Sequence, residues 1–288
     1  MAFGSAAFAG AVAILAKLGY SKTDSDLATA LRTVLVLVCA WGMVFLTGKQ
    51  GGIGAISGKS WLFLVLSGLA TGGSWLCYFH ALQIGDIDKV TPVDKSSTIL
   101  TILLAALILG EALTPLKAVC VVVIGLGTAL MIVKKGGGPH GAAAGRGKGR
   151  AWFFYALGSA VFASLTSILT KLGITGVDSV LGTAIRTGVV LVMAWLMVFV
   201  KGSWHGMGGI DKKSWLFLVL SGLATGGSWL CQNRALQLID ASVVIPIDKL
   251  SIVITVAFSY LVFGEKLSKK AALGLALLVA GTLGLLLV

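Results

Sequence analysis

Acidic side chains are scarce in this chain: 11 Asp and Glu stand against 23 Lys and Arg, and only 12% of its 288 residues are charged. Ordinary soluble domains carry about twice that share. Hydrophobic residues make up 57% and the mean hydropathy is +0.98, which excludes a water-soluble globular protein and indicates a chain whose solvent is mostly lipid. Histidine occurs only as His80, His140 and His205. No nucleophile with its base, no paired acids and no metal-ligand spacing accompany them, and there is no Gly-rich phosphate loop. No cofactor or metal is expected, an intramembrane enzyme lacks its reactive groups, and an ATP-driven pump lacks its nucleotide site. The cysteines Cys39, Cys77, Cys120 and Cys231 lie in apolar segments without paired spacing, which reads as packing rather than disulfide or metal chemistry.

What the chain does have is a duplication. Lys59 to Cys77, KSWLFLVLSGLATGGSWLC, returns letter for letter as Lys213 to Cys231. The register holds without a gap from Ala2 onward, pairing Arg32 with Arg186 and Pro92 with Pro246. About half of the aligned positions are identical. The domains follow: a first copy over 1–133, a linker over 134–150 rich in Gly, Ala and basic residues, and a second copy over 151–288. Such identity reads as a recent duplication or a fusion of a single unit that would otherwise pair with itself.

Each copy contains five apolar segments long enough to cross a hydrocarbon core about 30 Å thick. Their expected limits are Ala2 to Tyr20, Leu27 to Thr47, Ser60 to Gln83, Val90 to Gly110 and Pro115 to Val133, then Trp152 to Lys171, Leu181 to Val200, Ser214 to Leu238, Val244 to Phe263 and Ser268 to Val288. Lipid leaves no partner for free backbone groups, so each span is expected to be uninterrupted helix. The first is expected to be a retained span rather than a cleaved signal. The fold class is therefore an all-α integral membrane protein of ten transmembrane helices.

Five is odd, so two copies joined by a short linker enter the membrane in opposite orientations, an inverted-topology repeat. Basic residues agree: Lys22, Lys89, the linker, Lys201, Lys212, Lys213, Lys266, Lys269 and Lys270 fall on one side, against mainly Lys49, Lys59, Lys117 and Arg234 on the other. The positive-inside rule puts the linker in the cytoplasm and both termini outside, and it accounts for the basic excess without nucleic acid.

Inverted repeats can exchange conformations and open a central site first to one side and then to the other, the logic of a transporter. Candidate cavity residues recur in both copies. On the third helix Ser67, Thr71, Ser74 and Tyr78 share one face beside Trp75, matched by Ser221, Thr225, Ser228 and Gln232 beside Trp229. On the fourth, Asp94, Ser97 and Thr101 match Asp248, Ser251 and Thr255, and carboxylates inside a membrane are functional candidates. Small and hydroxyl residues also serve plain helix packing, and an Asp after a Pro suits a helix start. A second set, Lys17, Arg32 and Lys95 against Lys171, Arg186 and Lys249, suggests charge clusters near the two faces, acting as alternating gates or as docking points. Tyr78-Phe79-His80 facing Gln232-Asn233-Arg234 makes the cavity asymmetric. Glu111 and Glu265 read as helix ends.

These residues resemble the EamA-type members of the drug/metabolite transporter superfamily. The matching elements, once per copy, are Arg32 and Arg186 early in the second helix, Ala81-Leu82-Gln83 and Ala235-Leu236-Gln237 closing the third, Pro92 and Pro246 opening the fourth, and Gly110-Glu111 and Gly264-Glu265 closing it. The resemblance implies a ten-helix basket of two inverted halves in a bacterial inner (plasma) membrane, with a cavity lined by the third, fourth, eighth and ninth helices, exporting amino acids or similar metabolites. It also implies cytoplasmic termini, opposite to the charge count. The expected partners are a small-molecule substrate and membrane lipid, with no nucleic acid, and one chain is expected to suffice as the transport unit. A channel, a structural membrane protein and an intramembrane enzyme are the alternatives.

Overall fold

A computed structural model of the chain describes residues 1–19, 23–84, 90, 93–131, 151–263 and 268–287. The 134–150 linker, Pro92, Gly264-Glu265, Lys22, Lys89 and Lys266 lie outside the described residues. Among those described, every regular element is helical: α1 (Ala2–Gly19), α2 (Ser25–Leu46), α3 (Gly58–Ile84), α4 (Ser97–Ile108), α5 (Pro115–Met131), α6 (Ala151–Ile174), α7 (Ser179–Lys201), α8 (Lys212–Leu238), α9 (Ala241–Lys249), α10 (Ser251–Phe263) and α11 (Lys269–Gly284). Short 3-10 turns at Lys49–Ala55 and Ser203–Gly209 occupy equivalent places in the two copies.

Seven of these helical stretches are long and apolar enough to cross a membrane, with α9 and α10 together as one, and α5 and the Ala2–Leu15 part of α1 are shorter apolar helices. The outer faces of the helices carry bare aliphatic and aromatic side chains, Leu46 at 84%, Leu107 at 80% and Leu261 at 78% exposure among them. Only lipid makes such a surface tolerable.

Helix ends follow local rules. Asp24 and Asp178 accept hydrogen bonds from the first free backbone amides of α2 and α7, and Ser268 does so for α11. Gly202, at φ +71°, closes α7 in the left-handed conformation that side chains disfavour.

The copies interlock. α3 packs along α6 and α1 along α8, which is the first helix of each copy against the third of the other; α2 packs on α7 and α5 on α11, each against its own equivalent. Both kinds of pair run antiparallel. In one, Leu64 lies near Gly173 and Cys77 near Gly158; in the other, Leu27 and Leu31 cluster with Ala194 and Val198, whereas Ala40 and Val44 cluster with Leu181 and Ile185. Equivalent helices that meet antiparallel are related by a twofold axis across the helices, not along them. Small residues permit the approach: a Cβ on Gly127 would stand 2.6 Å from the Leu278 amide, and one on Gly281 would stand 2.8 Å from Ile124.

The fourth span of each copy is not the uninterrupted helix expected. A tightened turn interrupts it at Ser96 (φ −62°, ψ −13°) and at the equivalent Leu250 (φ −64°, ψ −12°). The Leu250 amide bonds Ile247 O at 3.0 Å and the Val253 amide bonds Leu250 O at 2.9 Å, one residue closer than α-helical bonding. Pro246 lies inside α9, where it removes an amide donor and crowds the preceding turn.

Candidate functional site

The fourth spans bring Asp94 and Asp248 to the interface between copies, and each carboxylate is held from the opposite copy. The Ser159 hydroxyl on α6 donates to Asp94 Oδ1 at 2.7 Å, and the Ser5 hydroxyl on α1 donates to Asp248 Oδ1 at 2.6 Å. A third serine backs each pair. Ser74 Oγ lies 3.3 Å from Ser159 Oγ and donates to Ser159 O at 3.1 Å; Ser228 Oγ lies 3.1 Å from Ser5 Oγ and donates to Ser5 O at 3.1 Å. Asp94, Ser74, Asp248 and Ser228 are anticipated from the sequence; Ser5 and Ser159 are not. Their signal was available, because they are equivalent serines on otherwise small and apolar helix faces.

Both clamps sit beside the tightened turns. Asp94 retains 17% side-chain exposure and lies 3.8 Å from the Nζ of Lys95, itself 46% exposed. A cavity of about 70 Å³ opens at the first turn, lined by Lys95, Ser96, Thr98 and residues of α5.

The remaining hydroxyls of the anticipated cavity are mainly turned onto their own helices. Thr71 bonds Ser67 O, Thr225 bonds Ser221 O, Thr101 bonds Ser97 O and Thr255 bonds Ser251 O, at 2.9, 2.7, 2.8 and 3.1 Å. Ser97 and Thr101 are buried, Ser251 and Thr255 half-buried, as are Trp75, Tyr78, Trp229 and Gln232. The Nη2 of Arg186 donates to Thr71 Oγ1 at 2.9 Å and its guanidinium lies over the Trp229 ring, 5.1 Å from the centroid. Arg32 is half-buried, and the side chain of Lys17 lies outside the described residues.

Lys171 joins neither Arg186 nor Asp248. Its Nζ donates to Glu111 Oε1 at 3.0 Å and to Ile239 O at 2.9 Å. Glu111 was read as a helix end, and it is one with a further role. Gly110, at φ +69°, reverses the chain after α4, and the Glu111 amide bonds back to Ala105 O. Its carboxylate then accepts from the Ala241 and Ser242 amides at 2.7 and 3.0 Å, capping α9 of the other copy. Burial alone would raise this carboxyl, but bonds from Ser242, Ala241 and Lys171 outweigh it and hold it below the usual carboxylate range. Lys117 completes the knot, reaching Asp240 Oδ2 at 3.2 Å and Ser242 Oγ at 3.3 Å. Gln237, from the Ala-Leu-Gln element, donates to Ile174 O and Val177 O beyond the end of α6. His80 stacks edge-on with Tyr155, and exposed Arg234 bonds Gln237 on its own helix.

Comparison with known proteins agrees with this architecture. The model of the EamA-like transporter family matches residues 1–133 and again 150–287. An uncharacterized transporter in the cobO 3' region of Sinorhizobium sp is 47% identical over 134 residues, 46% of this chain and 95% of that protein, whose length is therefore close to a single copy. Human solute carrier family 35 member G1 is 28% identical over 212 residues, 71% of this chain and 56% of its own length. A crystal structure of a protein described without a function superposes with a TM-score of 0.79 at 18% identity, covering 99% of this chain and 96% of its own, and shows a shared fold. The chain belongs to the EamA-like transporter family, is embedded in the membrane, and is a transporter rather than an enzyme.

Proposed function

We propose that the chain is a secondary active carrier that moves a small polar metabolite such as an amino acid outward by alternating access. In this reading it has ten spans, arranged as two inverted five-helix halves over 1–133 and 151–288, the 134–150 linker is cytoplasmic in a bacterial inner membrane, and one chain is the transport unit. The observation that carries the reading is the exchanged clamp: Ser159 of the second copy on Asp94 of the first, and Ser5 of the first on Asp248 of the second. Each carboxylate sits at the interface of the repeats beside an irregular turn in its own helix, where coupling and substrate sites of inverted-repeat carriers tend to be built. Releasing one clamp while the other stays closed would open one side only. The Thr71, Trp75 and Tyr78 wall and the Thr225, Trp229 and Gln232 wall would then face the substrate, with Ser97, Thr101, Ser251 and Thr255 behind, and Arg32, Lys95 and Lys249 bearing the charge that gates or docks it.

Reconstitution of the purified chain in liposomes tests this. Saturable counterflow of an amino acid, lost in the Asp94→Asn/Asp248→Asn double variant and responsive to an imposed pH gradient, is the expected result. Linear, unsaturable flux would make the protein a channel, and counterflow untouched in the double variant would reduce the aspartates to helix-start residues.

A further inference from the structure

Among the described residues two buried charged side chains keep a polar atom without a hydrogen-bond partner, Asp26 and Arg186, and Asp26 has Lys201 as a counter-charge. Arg186 is 7% exposed, no carboxylate among the described residues pairs with it, and its Nε has no hydrogen-bond partner. An arginine cannot shed its charge by deprotonating near neutral pH, and a buried cation without a counter-charge is costly. Its donors are unequally used. Thr71 takes one edge through Nη2, the Trp229 indole covers a face, and the Nε edge, one of the donors of the guanidinium fork that meets a carboxylate, is left over.

The neighbourhood also differs between the copies. Thr166, whose hydroxyl lies 3.4 Å from that of Thr71, stands where the first copy has Val12, and Asn233, which donates to Thr183 Oγ1 at 2.7 Å, stands where the first has Phe79. The polar groups therefore gather on the Arg186 side.

We infer that Arg186, with Thr71 and Trp229, is the docking point for a carboxylate of the transported molecule, so that the substrate class is small organic acids and zwitterions rather than amines. This rests on the carrier reading for its biological use, but the anion site itself can be measured without transport. The melting midpoint of the purified full-length chain in detergent is recorded with millimolar amino acids and monocarboxylates, each beside its decarboxylated amine: phenylalanine with phenethylamine, tryptophan with tryptamine, glycine with methylamine. At least one acid raises the midpoint and its amine does not; Arg186→Gln abolishes the rise, Arg186→Lys, a point charge without the fork, keeps only part of it, and Lys49→Met keeps it all. The inference is overturned if no acid raises the midpoint, if amines do so equally, or if Arg186→Gln retains the rise. Counterflow with the same panel separates the two ideas: stabilisation by acids without flux sinks the carrier and leaves the site, whereas saturable flux of amines alone sinks the site and leaves the carrier.

Discussion

Two regions of the molecule treat the duplication in opposite ways. At the interface the copies exchange partners on equal terms: Gly4 meets Cys231 as Gly158 meets Cys77, Gly68 meets Val189 as Gly222 meets Leu35, and the serine clamps measure 2.6 and 2.7 Å. At the far ends of α3 and α8 the identity stops, and Tyr78-Phe79-His80 confronts Gln232-Asn233-Arg234. The clamps that hold the halves together are duplicated, and of the proposed walls Thr71 and Trp75 keep their counterparts in Thr225 and Trp229, whereas Tyr78 and Gln232 have diverged. Unlike side chains at Tyr78 and Gln232 would let a ligand with two different ends take one orientation, whereas a joint between halves loses nothing by symmetry.

The sharpest way to break this comparison is to alter the clamps one at a time. Asp94→Asn and Asp248→Asn are each expected to cut the maximal exchange rate by roughly ten- to a hundredfold, the worth of a hydrogen bond to a charged group. Initial rates in liposomes should show similar losses, and a loss confined to one of them would mean that the clamps are not equivalent in use.

Packing at the axis comes next. Gly127→Val and Gly281→Val drive side chains into the facing helix and should each cost about 1–3 kcal/mol by overpacking, read as a lowered melting midpoint. Unequal costs would show that the α5 and α11 crossing is less symmetric than its contacts.

Glu111 sharpens the comparison at one end of the bundle. Its carboxyl is held below the usual range by the α9 amides and Lys171, so the folded form binds the proton less readily than the unfolded one. That stability is present above the ordinary carboxylate pKa and is lost as pH falls through the lowered folded value. Wild type should lose midpoint on acidification below about pH 4.3, the ordinary Glu value, by more than Glu111→Gln does, and Glu111→Ala should cost about 1–2 kcal/mol as a lost cap.

Two ion pairs that the copies do not share span a wide range and include the smallest effect. Lys201 bonds Asp26 Oδ2 at 2.6 Å with the acid 7% exposed, whereas Lys49 and Asp178 meet at 3.6 Å with 51% and 32% exposure. Lys201→Met should cost about 1–3 kcal/mol because it strands a buried carboxylate, and Lys49→Met less than about 1 kcal/mol.

Much of this was legible in the sequence, because length, hydropathy and repetition act locally. The third and eighth helices stand within two residues of their expected limits, at Gly58–Ile84 and Lys212–Leu238. What escaped depends on which helices become neighbours across the interface. Nothing local says that Ser5 will meet Asp248, that Glu111 will cap a helix of the other copy, or that Lys171 will turn to Glu111 rather than to Arg186. The turns at Ser96 and Leu250 were hidden differently: Pro92 and Pro246 were read as helix openers, yet α9 begins at Ala241 and carries Pro246 in its interior.

The crossing of α5 and α11 has one more property. Gly127 against Leu278 and Gly281 against Ile124 are the same contact with the copies interchanged, so the crossing as a whole maps onto itself under the twofold operation. If each half takes on the other's shape, contacts between unlike helices have to be rewritten, but this crossing, like that of α2 and α7, returns to where it began. In a carrier whose halves trade shapes it would be a fulcrum, a contact that both conformations keep.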